Sequence, residues 1–383
     1  MIYLDNCATT KPREEVIRVI TDAMRDDFGN PSSLHRKGFA IEKKIKSARK
    51  VIADYLGVSD GEIYFTSGGT EGNNMAIMGV AEANPQLKHV ITTGIEHPAV
   101  MNTIRNLEKN GYSVTVLEND EFGRVNLNHL QKSLRQDTFL VSIIHVNNEI
   151  GTIQKINEIG KIVKGFNSQI HLHVDGVQSF GKIDFSLIEA KVDSYAFSSH
   201  KVYGPKGVGG LYISRKAKIK PIIYGGGQER GIRSGTENTF GILGFAKAVE
   251  IISTNQIHER RKVLELRQIL IQELKTKIDD IKINSLLNQE CSPYILSVSF
   301  SDTRGEVIVH YLEEDEIYVS TSSACSSKGT KKSHVLEGIG LGNKYSEGTI
   351  RICLSHDLST DEIEFAATKI AGAVKEIRNI TRR

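Results

Sequence analysis

Apolar residues change their spacing repeatedly between about residue 14 and residue 255. They recur every three to four positions, as on one face of a helix, over 14–27, 37–56, 70–83, 98–109 and 156–165. Short apolar and β-branched runs predict strands at 62–66, 89–93, 113–117, 139–146, 170–175, 194–198 and 209–213. Strands that alternate with helices predict an α/β fold, in which a mostly parallel seven-stranded sheet is covered by helices.

The pattern changes beyond residue 255. A long charged helical stretch, about 256–278, leads into a smaller α+β region with elements at 294–300, 305–314, 349–354 and 361–378. We therefore predict a large domain over 14–255 and a small domain that combines 1–13 with 256–383. The small domain would carry a mobile loop at about 321–332, because small, hydroxylated and glycine residues predominate there.

Composition argues against several classes of protein. The chain has 383 residues, of which 39% are hydrophobic and 25% charged, as in a soluble globular protein. Its net charge is +3 and its basic residues are scattered, so we predict no direct nucleic-acid binding. No apolar stretch approaches the ~18–20 residues that span a bilayer, and we expect neither a signal peptide nor a membrane partner. The four cysteines are too dispersed for a zinc site and too few for a disulfide framework, so we expect a cytoplasmic protein with reduced thiols and no metal.

Two residues at predicted strand ends indicate the chemistry. The carboxyl ends of parallel strands meet at one edge of a sheet, where ligands of such folds bind. Lys201 follows a strand, and desolvation there would lower its pKa and favour Schiff-base formation, although Lys206 in the next turn is an alternative. Asp175 ends another strand, where it is either a helix N-cap or the counter-ion of a protonated ring nitrogen. A Schiff-base lysine with such an aspartate is typical of a pyridoxal 5′-phosphate (PLP) site.

Other polar residues would complete such a site. The Ser-Gly-Gly-Thr turn at 67–70 joins a strand to a helix, so its backbone N–H groups would hold one phosphate, or Thr70 would cap the helix. His97 is either a surface residue or an imidazole that stacks on an aromatic cofactor. Gln178 would lie one turn from Asp175 on the same face. Arg351, between two isoleucines, either forms a structural salt bridge or binds the carboxylate of an amino-acid substrate.

One cysteine has no structural explanation in its surroundings. Residues 321–329 read TSSACSSKG, a stretch that has no aliphatic run to bury the thiol of Cys325. No second cysteine is close enough in the sequence to share a metal ion with it. The composition therefore predicts an exposed thiol.

Together these stretches resemble the cysteine desulfurases of the NifS/IscS type, which are fold-type I PLP-dependent enzymes of the class V aminotransferase family. The resemblance covers nearly the whole chain, with motifs in family order and at family spacing: YLDNCATT, FGNPSSLH, FTSGGTE, EHPAV, HVNNEIGT, HVDGVQS, SSHKVYGPKG, GGGQERGIRSGTEN, SSACSS and TIR. It implies an enzyme that converts L-cysteine to L-alanine and leaves a persulfide on Cys325 for a sulfur acceptor.

The resemblance also implies roles for individual residues. Lys201 would form the Schiff base with PLP, and Cys325 would attack the substrate sulfur. Asp175 would pair with the ring nitrogen, Gln178 would bind the ring hydroxyl, and His97 would stack on the ring and transfer protons. The other implied residues are Gly69, Thr70, Ser198 and His200 at the phosphate, Thr236 at the phosphate of the partner subunit in a homodimer, and Asn148 and Arg351 at the substrate carboxylate.

Several positions depart from the family pattern. The loop reads SSAC where GSAC is common, and HVDGVQ and SGGTEG have glycine where alanine or serine is usual. Cys7 occupies a position commonly held by alanine, asparagine or serine; we expect Cys7, Cys291 and Cys353 to be structural, with a redox role for Cys7 as the alternative. The chain ends soon after its last predicted helix, without the longer tail that docks an iron–sulfur scaffold in many members. The acceptor is therefore left open between an iron–sulfur scaffold and an enzyme that thiolates tRNA or a cofactor.

Two other functions also remain open. A selenocysteine lyase or an aminotransferase of the same fold would not need a nucleophilic thiol, so replacing Cys325 by serine would distinguish it from a desulfurase. A non-catalytic scaffold paralogue is the third interpretation. The joint presence of Lys201, Asp175, His97, Cys325 and Arg351 argues against it.

Overall fold

Helices and strands alternate along residues 1–322 and 333–381, which are the residues that the computed structural model describes. The helices are α1 (Glu14–Asp26), α2 (Arg36–Leu56), α3 (Gly69–Ala83), α4 (Pro98–Lys109), α5 (Leu127–Ser133), α6 (Ile156–Phe166), α7 (Thr239–Lys277), α8 (Gly305–Glu313), α9 (His334–Gly338), α10 (Asn343–Ser346) and α11 (Thr360–Thr381). The strands are β1 (Ile2–Tyr3), β2 (Ile63–Thr66), β3 (His89–Thr93), β4 (Ser113–Leu117), β5 (Thr138–Ile144), β6 (His171–Asp175), β7 (Ser194–Ser198), β8 (Gly209–Ile213), β9 (Ile281–Ile283), β10 (Ile295–Phe300), β11 (Ile317–Tyr318), β12 (Ser320–Thr321) and β13 (Thr349–Cys353).

The central sheet has seven strands in the order β2–β8–β7–β6–β5–β3–β4. Every neighbouring pair is parallel except the two that involve β8, which runs antiparallel to β2 and β7. The predicted α/β class with a mostly parallel seven-stranded sheet is therefore confirmed. Leu172 and Val174 of β6 face a core shared with α2, α6 and α7, whereas the alternate residues of this strand point toward α3 on the other face.

The longest helix connects two hydrophobic cores. α7 runs without interruption through residues 255 and 256, where the predicted domains meet. Its first half packs into the core of the central sheet, and its second half, from Val263 onward, packs into a second core. This second core surrounds a four-stranded antiparallel sheet in the order β12–β13–β10–β9, with α8 and α11. β1 pairs with β11, and the backbone N–H of Cys353 donates to the carbonyl of Leu4, so the first residues of the chain lie beside this smaller sheet.

Short elements account for most differences from the prediction. α5 and the two-residue strands β11 and β12 are too brief to produce a readable period in the sequence. β5 ends at Ile144, two residues before the predicted end. Within the two described ranges, no helix combines the length and the apolar character needed to cross a membrane.

Candidate active site

A cavity of about 280 Å³ opens at the carboxyl-terminal edge of the central sheet. Residues that follow five of its strands converge there, as expected for an open parallel sheet. β13 of the smaller sheet contributes one wall, and Cys7 and Ala8 contribute another. The residues selected from the sequence that line this cavity are Gly69, Thr70, His97, Asn148, Asp175, Gln178, Ser198, His200, Lys201 and Arg351.

Asp175 lies at the end of β6 and is only 3% exposed. One carboxylate oxygen accepts a hydrogen bond from the backbone N–H of Val177 (3.0 Å), and the other accepts one from Asn73 Nδ2 (2.8 Å). Burial raises the pKa of this carboxyl, while the neighbouring His97 and these two donors act in the opposite direction. Asp175 thus binds the start of the next turn, as the capping interpretation expects, and it also borders the cavity; its role as a counter-ion stays a prediction.

Lys201 ends the short 3₁₀ turn Ser199–Lys201 that follows β7. Its amine donates to the carbonyl oxygens of Cys7 (2.5 Å) and Ala8 (2.8 Å). Burial lowers its pKa to about 8, and the positive charges of Lys182 and Arg351 act in the same direction. The alternative lysine, Lys206, is exposed and lines an adjoining cavity instead. Of the two candidate lysines, Lys201 is therefore the one that shares the cavity with Asp175.

His97 is the N-cap of α4, and its Nδ1 accepts a hydrogen bond from the backbone N–H of Ala99 (3.1 Å). The neutral ring therefore carries its proton on Nε2, which is the nitrogen left for proton exchange. Burial lowers the pKa of His97, and Lys201 adds to this effect, so the neutral ring is favoured near pH 7.

Arg351 reaches the cavity from the smaller sheet and is 5% exposed. Its guanidinium donates to the carbonyl oxygen of Asn148 (3.1 Å) and to Asp5 Oδ1 (2.8 Å). The salt bridge considered from the sequence is therefore present. Yet, within the described part of the chain, Arg351 Nε and Asn148 Oδ1 are buried without a hydrogen-bond partner. A buried polar atom without a partner is costly, and the N–H of Arg351 Nε is a donor that a carboxylate would satisfy; Asn148 would have to turn its NH₂ toward the same ligand to bind it.

The turn before α3 forms the opposite corner. α3 begins at Gly69 with Gly68 as its N-cap, so the alternative in which Thr70 caps the helix is wrong. A Cβ at Gly69 would lie 2.3 Å from Val177 Cγ2, which shows how closely this turn approaches the residues that follow β6. Ser198 Oγ is buried beside it and has no partner among the described residues. Free backbone N–H groups at a helix N-terminus and a free hydroxyl together suit a phosphate.

Comparison with known proteins identifies the family. The aminotransferase class-V model matches residues 2–365. The cysteine desulfurase IscS of Dictyoglomus turgidum is 41% identical over 381 residues, which cover 99% of this chain and 96% of that protein. The chain belongs to the class-V aminotransferase family. Its relatives place it among the cysteine desulfurases, so the resemblance seen in the motifs is confirmed.

Solved structures support the same assignment. A NifS-like protein matches with a TM-score of 0.92 at 40% identity, covering 98% of this chain and 99% of that one. A structure of SspA in complex with cysteine matches with a TM-score of 0.80 at 34% identity, covering 92% of this chain and 99% of that one.

Class-V aminotransferases and NifS-like desulfurases are PLP enzymes, and the cavity of this family member suits that cofactor. Ser198 Oγ and the start of α3 offer the donors that a phosphate requires. Lys201 offers an amine, and Asp175 offers a carboxylate for a ring nitrogen. No group of three or more His, Cys, Asp or Glu side chains within residues 1–322 and 333–381 could hold a metal ion.

Two selected residues are not placed in the cavity. Thr236 lines a separate cavity of about 90 Å³, together with Ser67 and Glu237. Its expected contact with the phosphate of a partner subunit stays a prediction. Cys325 and most of its loop lie outside the described residues.

Two further residues contribute to the site in ways that the sequence did not indicate. The carbonyl of Cys7 accepts hydrogen bonds from both Lys201 and Gln178 Nε2 (2.9 Å), so the backbone of this cysteine organises two side chains of the cavity. Asn73 is 1% exposed and lies directly behind Asp175. The one signal in the sequence is a pair of asparagines, which are poor helix formers, directly before the apolar run of α3; it does not distinguish Asn73 from Asn74.

Proposed function

We propose that this protein is a PLP-dependent cysteine desulfurase, which removes sulfur from L-cysteine, releases L-alanine and passes the sulfur to an acceptor. One observation carries the proposal: a weakly basic lysine, a buried aspartate and a buried arginine share one cavity in a chain that is 41% identical to a cysteine desulfurase.

The cavity walls suggest how the cofactor would be held. Lys201 would attach PLP, Asp175 would face its ring nitrogen, and Ser198 with the N-terminus of α3 would hold its phosphate. Bound PLP supplies an electron sink that stabilises a carbanion at the Cα atom of an amino acid. Gly69 lets the start of α3 pack against Val177, since a Cβ there would lie 2.3 Å from Val177 Cγ2.

The remaining side chains would act on the substrate. The Arg351 guanidinium would bind the carboxylate of cysteine through its free Nε, while Asp5 and the Asn148 carbonyl keep its plane fixed. The amine of Lys201 would take the proton from Cα. A pKa of about 8 leaves roughly a tenth of this amine neutral at pH 7, far more than for an ordinary lysine.

The sulfur step requires a thiolate, which we assign to Cys325. Its sulfur attacks the sulfur of bound cysteine, the carbon–sulfur bond of the substrate breaks, and the substrate carbon takes up a proton to become alanine. Cysteine and the enzyme thiol thus give alanine and an enzyme persulfide, with all atoms accounted for. His97, whose Nδ1 is occupied by the Ala99 N–H, would move the protons that this step consumes through its Nε2.

We further propose that the enzyme works as a homodimer with a dedicated acceptor. Thr236, which lines a cavity separate from that of Lys201, would reach the phosphate bound by the second copy. The acceptor would be an iron–sulfur scaffold or an enzyme that thiolates tRNA or a cofactor.

The test is to incubate PLP-loaded protein with L-cysteine without oxygen, alkylate it, and map its peptides by mass spectrometry. The proposal expects one added sulfur on the Cys325 peptide and an equal amount of alanine. The Cys325→Ser variant should bind PLP normally and form neither product. Alanine formed by this variant at the normal rate would indicate another PLP lyase, and no product from either protein would indicate a scaffold.

A further inference from the structure

A chain of hydrogen bonds runs through the protein interior behind Asp175. Asn73 Nδ2 donates to Asp175 Oδ2 at 2.8 Å, and Asn73 Oδ1 lies 2.9 Å from His173 Nε2. The other ring nitrogen of His173 lies 2.8 Å from Ser194 Oγ, and that hydroxyl lies 2.7 Å from His171 Nε2. Four side chains thus connect the candidate cofactor carboxylate to the opposite end of β6.

The sequence places these residues in line by simple periodicity. In IHLHVD, alternate residues of β6 point to the same face, so His171, His173 and Asp175 all point toward α3. Ser194 on β7 is the register partner of His173. α3 can approach this face because residue 72 is glycine, whose Cβ would lie only 3.2 Å from that of Ala196. Asn73 is thereby brought into contact with both His173 and Asp175.

When Asp175 is ionised, the hydrogen bonds between these side chains can run in only one direction. A carboxylate accepts hydrogen bonds, so Asn73 must present its NH₂ to Asp175 and its carbonyl oxygen to His173. His173 then carries its proton on Nε2 and accepts at Nδ1, which takes the single proton of Ser194. His171 Nε2 must therefore donate to Ser194 Oγ. Every donor points toward Asp175, and such aligned hydrogen bonds strengthen one another.

Burial of these four side chains keeps their hydrogen bonds in this direction. Asn73, His173 and Ser194 are at most 1% exposed, and His171 is 5% exposed. Burial lowers the pKa of both histidines to about 3, so both rings are neutral near pH 7. If Asp175 became protonated, its OH would face the NH₂ of Asn73, so that two donors would oppose each other. Donors and acceptors could pair again only if Asn73 flipped and the protons of both histidines moved to their other ring nitrogens.

We propose that Asn73, His173, Ser194 and His171 are positioning residues, which orient the Asp175 carboxylate and keep it ionised opposite the ring nitrogen of PLP. This inference rests on the proposed function, since it assumes that PLP binds in the cavity. His173, Ser194 and His171 do not line the cavity and act only through Asp175, whereas Asn73 also borders the cavity. Their effect should therefore appear in the affinity and absorption spectrum of bound PLP as well as in turnover.

The fold provides a closely matched control. Ser142 on β5 is the register partner of His173 on its other side, is 0% exposed like Ser194, and has no hydrogen-bond partner for its hydroxyl among the described residues. Ser194→Ala and Ser142→Ala thus remove the same atom from the two strands that flank one histidine. Only the first breaks the chain.

The experiment measures the dissociation constant of PLP by equilibrium dialysis and the pH midpoint of its absorption band for the unsubstituted protein and three variants. Asn73→Ala removes a direct donor to a charged group and should weaken PLP binding by roughly thirtyfold. Ser194→Ala should weaken it by roughly fivefold and raise the midpoint, because a less charged ring leaves the Lys201 nitrogen more basic. Ser142→Ala should match the unsubstituted protein in both quantities. Thermal unfolding of the apoproteins checks that each variant is folded.

Failure of this inference and failure of the proposed function give different results. If Ser194→Ala and Asn73→Ala are folded and bind PLP like Ser142→Ala, with the same midpoint, the chain has only a structural role and the inference is wrong. ¹⁵N spectra of the histidines give a second readout, with His171 and His173 expected as neutral Nε2–H tautomers; Nδ1–H tautomers would also overturn it. If the unsubstituted protein fails to bind PLP, the proposed function fails and this inference fails with it.

Discussion

The two sheets contribute to the site in different ways. The central sheet provides Asp175, Ser198 and Lys201 from adjacent strand ends, where the backbone of the fold itself fixes their separation. The smaller sheet provides Arg351, whose position depends on contacts with Asp5 and with the Asn148 carbonyl, which follows a strand of the other sheet. The first set suits a cofactor and the second suits a substrate carboxylate. Cofactor binding and substrate binding should therefore respond to different substitutions.

The largest expected effect is the loss of the central-sheet amine. Lys201→Ala should abolish covalent attachment of PLP and lower desulfurase turnover by on the order of a thousandfold or more, because no other amine in the described cavity takes its place. Borohydride reduction followed by peptide mapping would measure the attachment. The control is Lys206→Ala, which removes an exposed lysine only five positions away and should retain the label on residue 201. A label on Lys206 in the unsubstituted protein would contradict the assignment.

A substitution in the smaller sheet should impair substrate binding and spare cofactor binding. Arg351→Lys keeps the positive charge but loses the free Nε donor and the planar group that Asp5 and Asn148 hold in place, so the KM for cysteine should rise by roughly a hundredfold. The affinity for PLP should stay within about twofold of the unsubstituted value, since the central sheet is intact. Steady-state kinetics and PLP dialysis measure the two quantities.

Asp5→Asn is the matched control for that variant. It keeps an oxygen acceptor for Arg351 and removes only the charge of the salt bridge, so KM should change less than tenfold. Equal losses of PLP and cysteine affinity in Arg351→Lys would show that cofactor binding and substrate binding are not assigned to separate sheets.

The ionisation of Lys201 predicts a distinctive pH profile for the reaction with PLP. Because burial lowers the pKa of Lys201 to about 8, its neutral and reactive fraction should rise about tenfold per pH unit below that value and level off above it. The rate at which apoprotein takes up PLP, followed by absorbance, should show the same profile. A lysine of ordinary pKa in a model peptide gives the reference, with a rise that continues to about pH 10. A protein profile that also continued to pH 10 would mean that the Lys201 amine is not desolvated.

The sequence was informative where one local pattern determines a position. Apolar runs followed by polar residues marked the ends of β6 and β7, so Asp175 and Lys201 could be expected at one edge. Asn73 could not, because its contact with Asp175 depends on how α3 lies across the sheet. α7 was recognised only in its charged second half, since its first half is buried and resembles any other core helix of the large domain.

One departure from the family pattern also became clear only in three dimensions, and it leads to the smallest predicted effect. The glycine of HVDGVQ is Gly176, and a Cβ there would lie 1.9 Å from Cζ of Tyr195, which fills the space that an alanine would need. Tyr195 is 19 positions away, and its hydroxyl is hydrogen-bonded to Ser179 Oγ at 2.7 Å, so the ring cannot move aside without losing this contact.

Gly176→Ala should therefore lower the free energy of unfolding by roughly 1–3 kcal/mol. Gly165→Ala, in α6 with open space around the new methyl group, should leave it unchanged or raise it by up to about 1 kcal/mol. Urea unfolding of the two apoprotein variants measures both values, and equal stabilities would show that Tyr195 yields easily and that this glycine has no packing role.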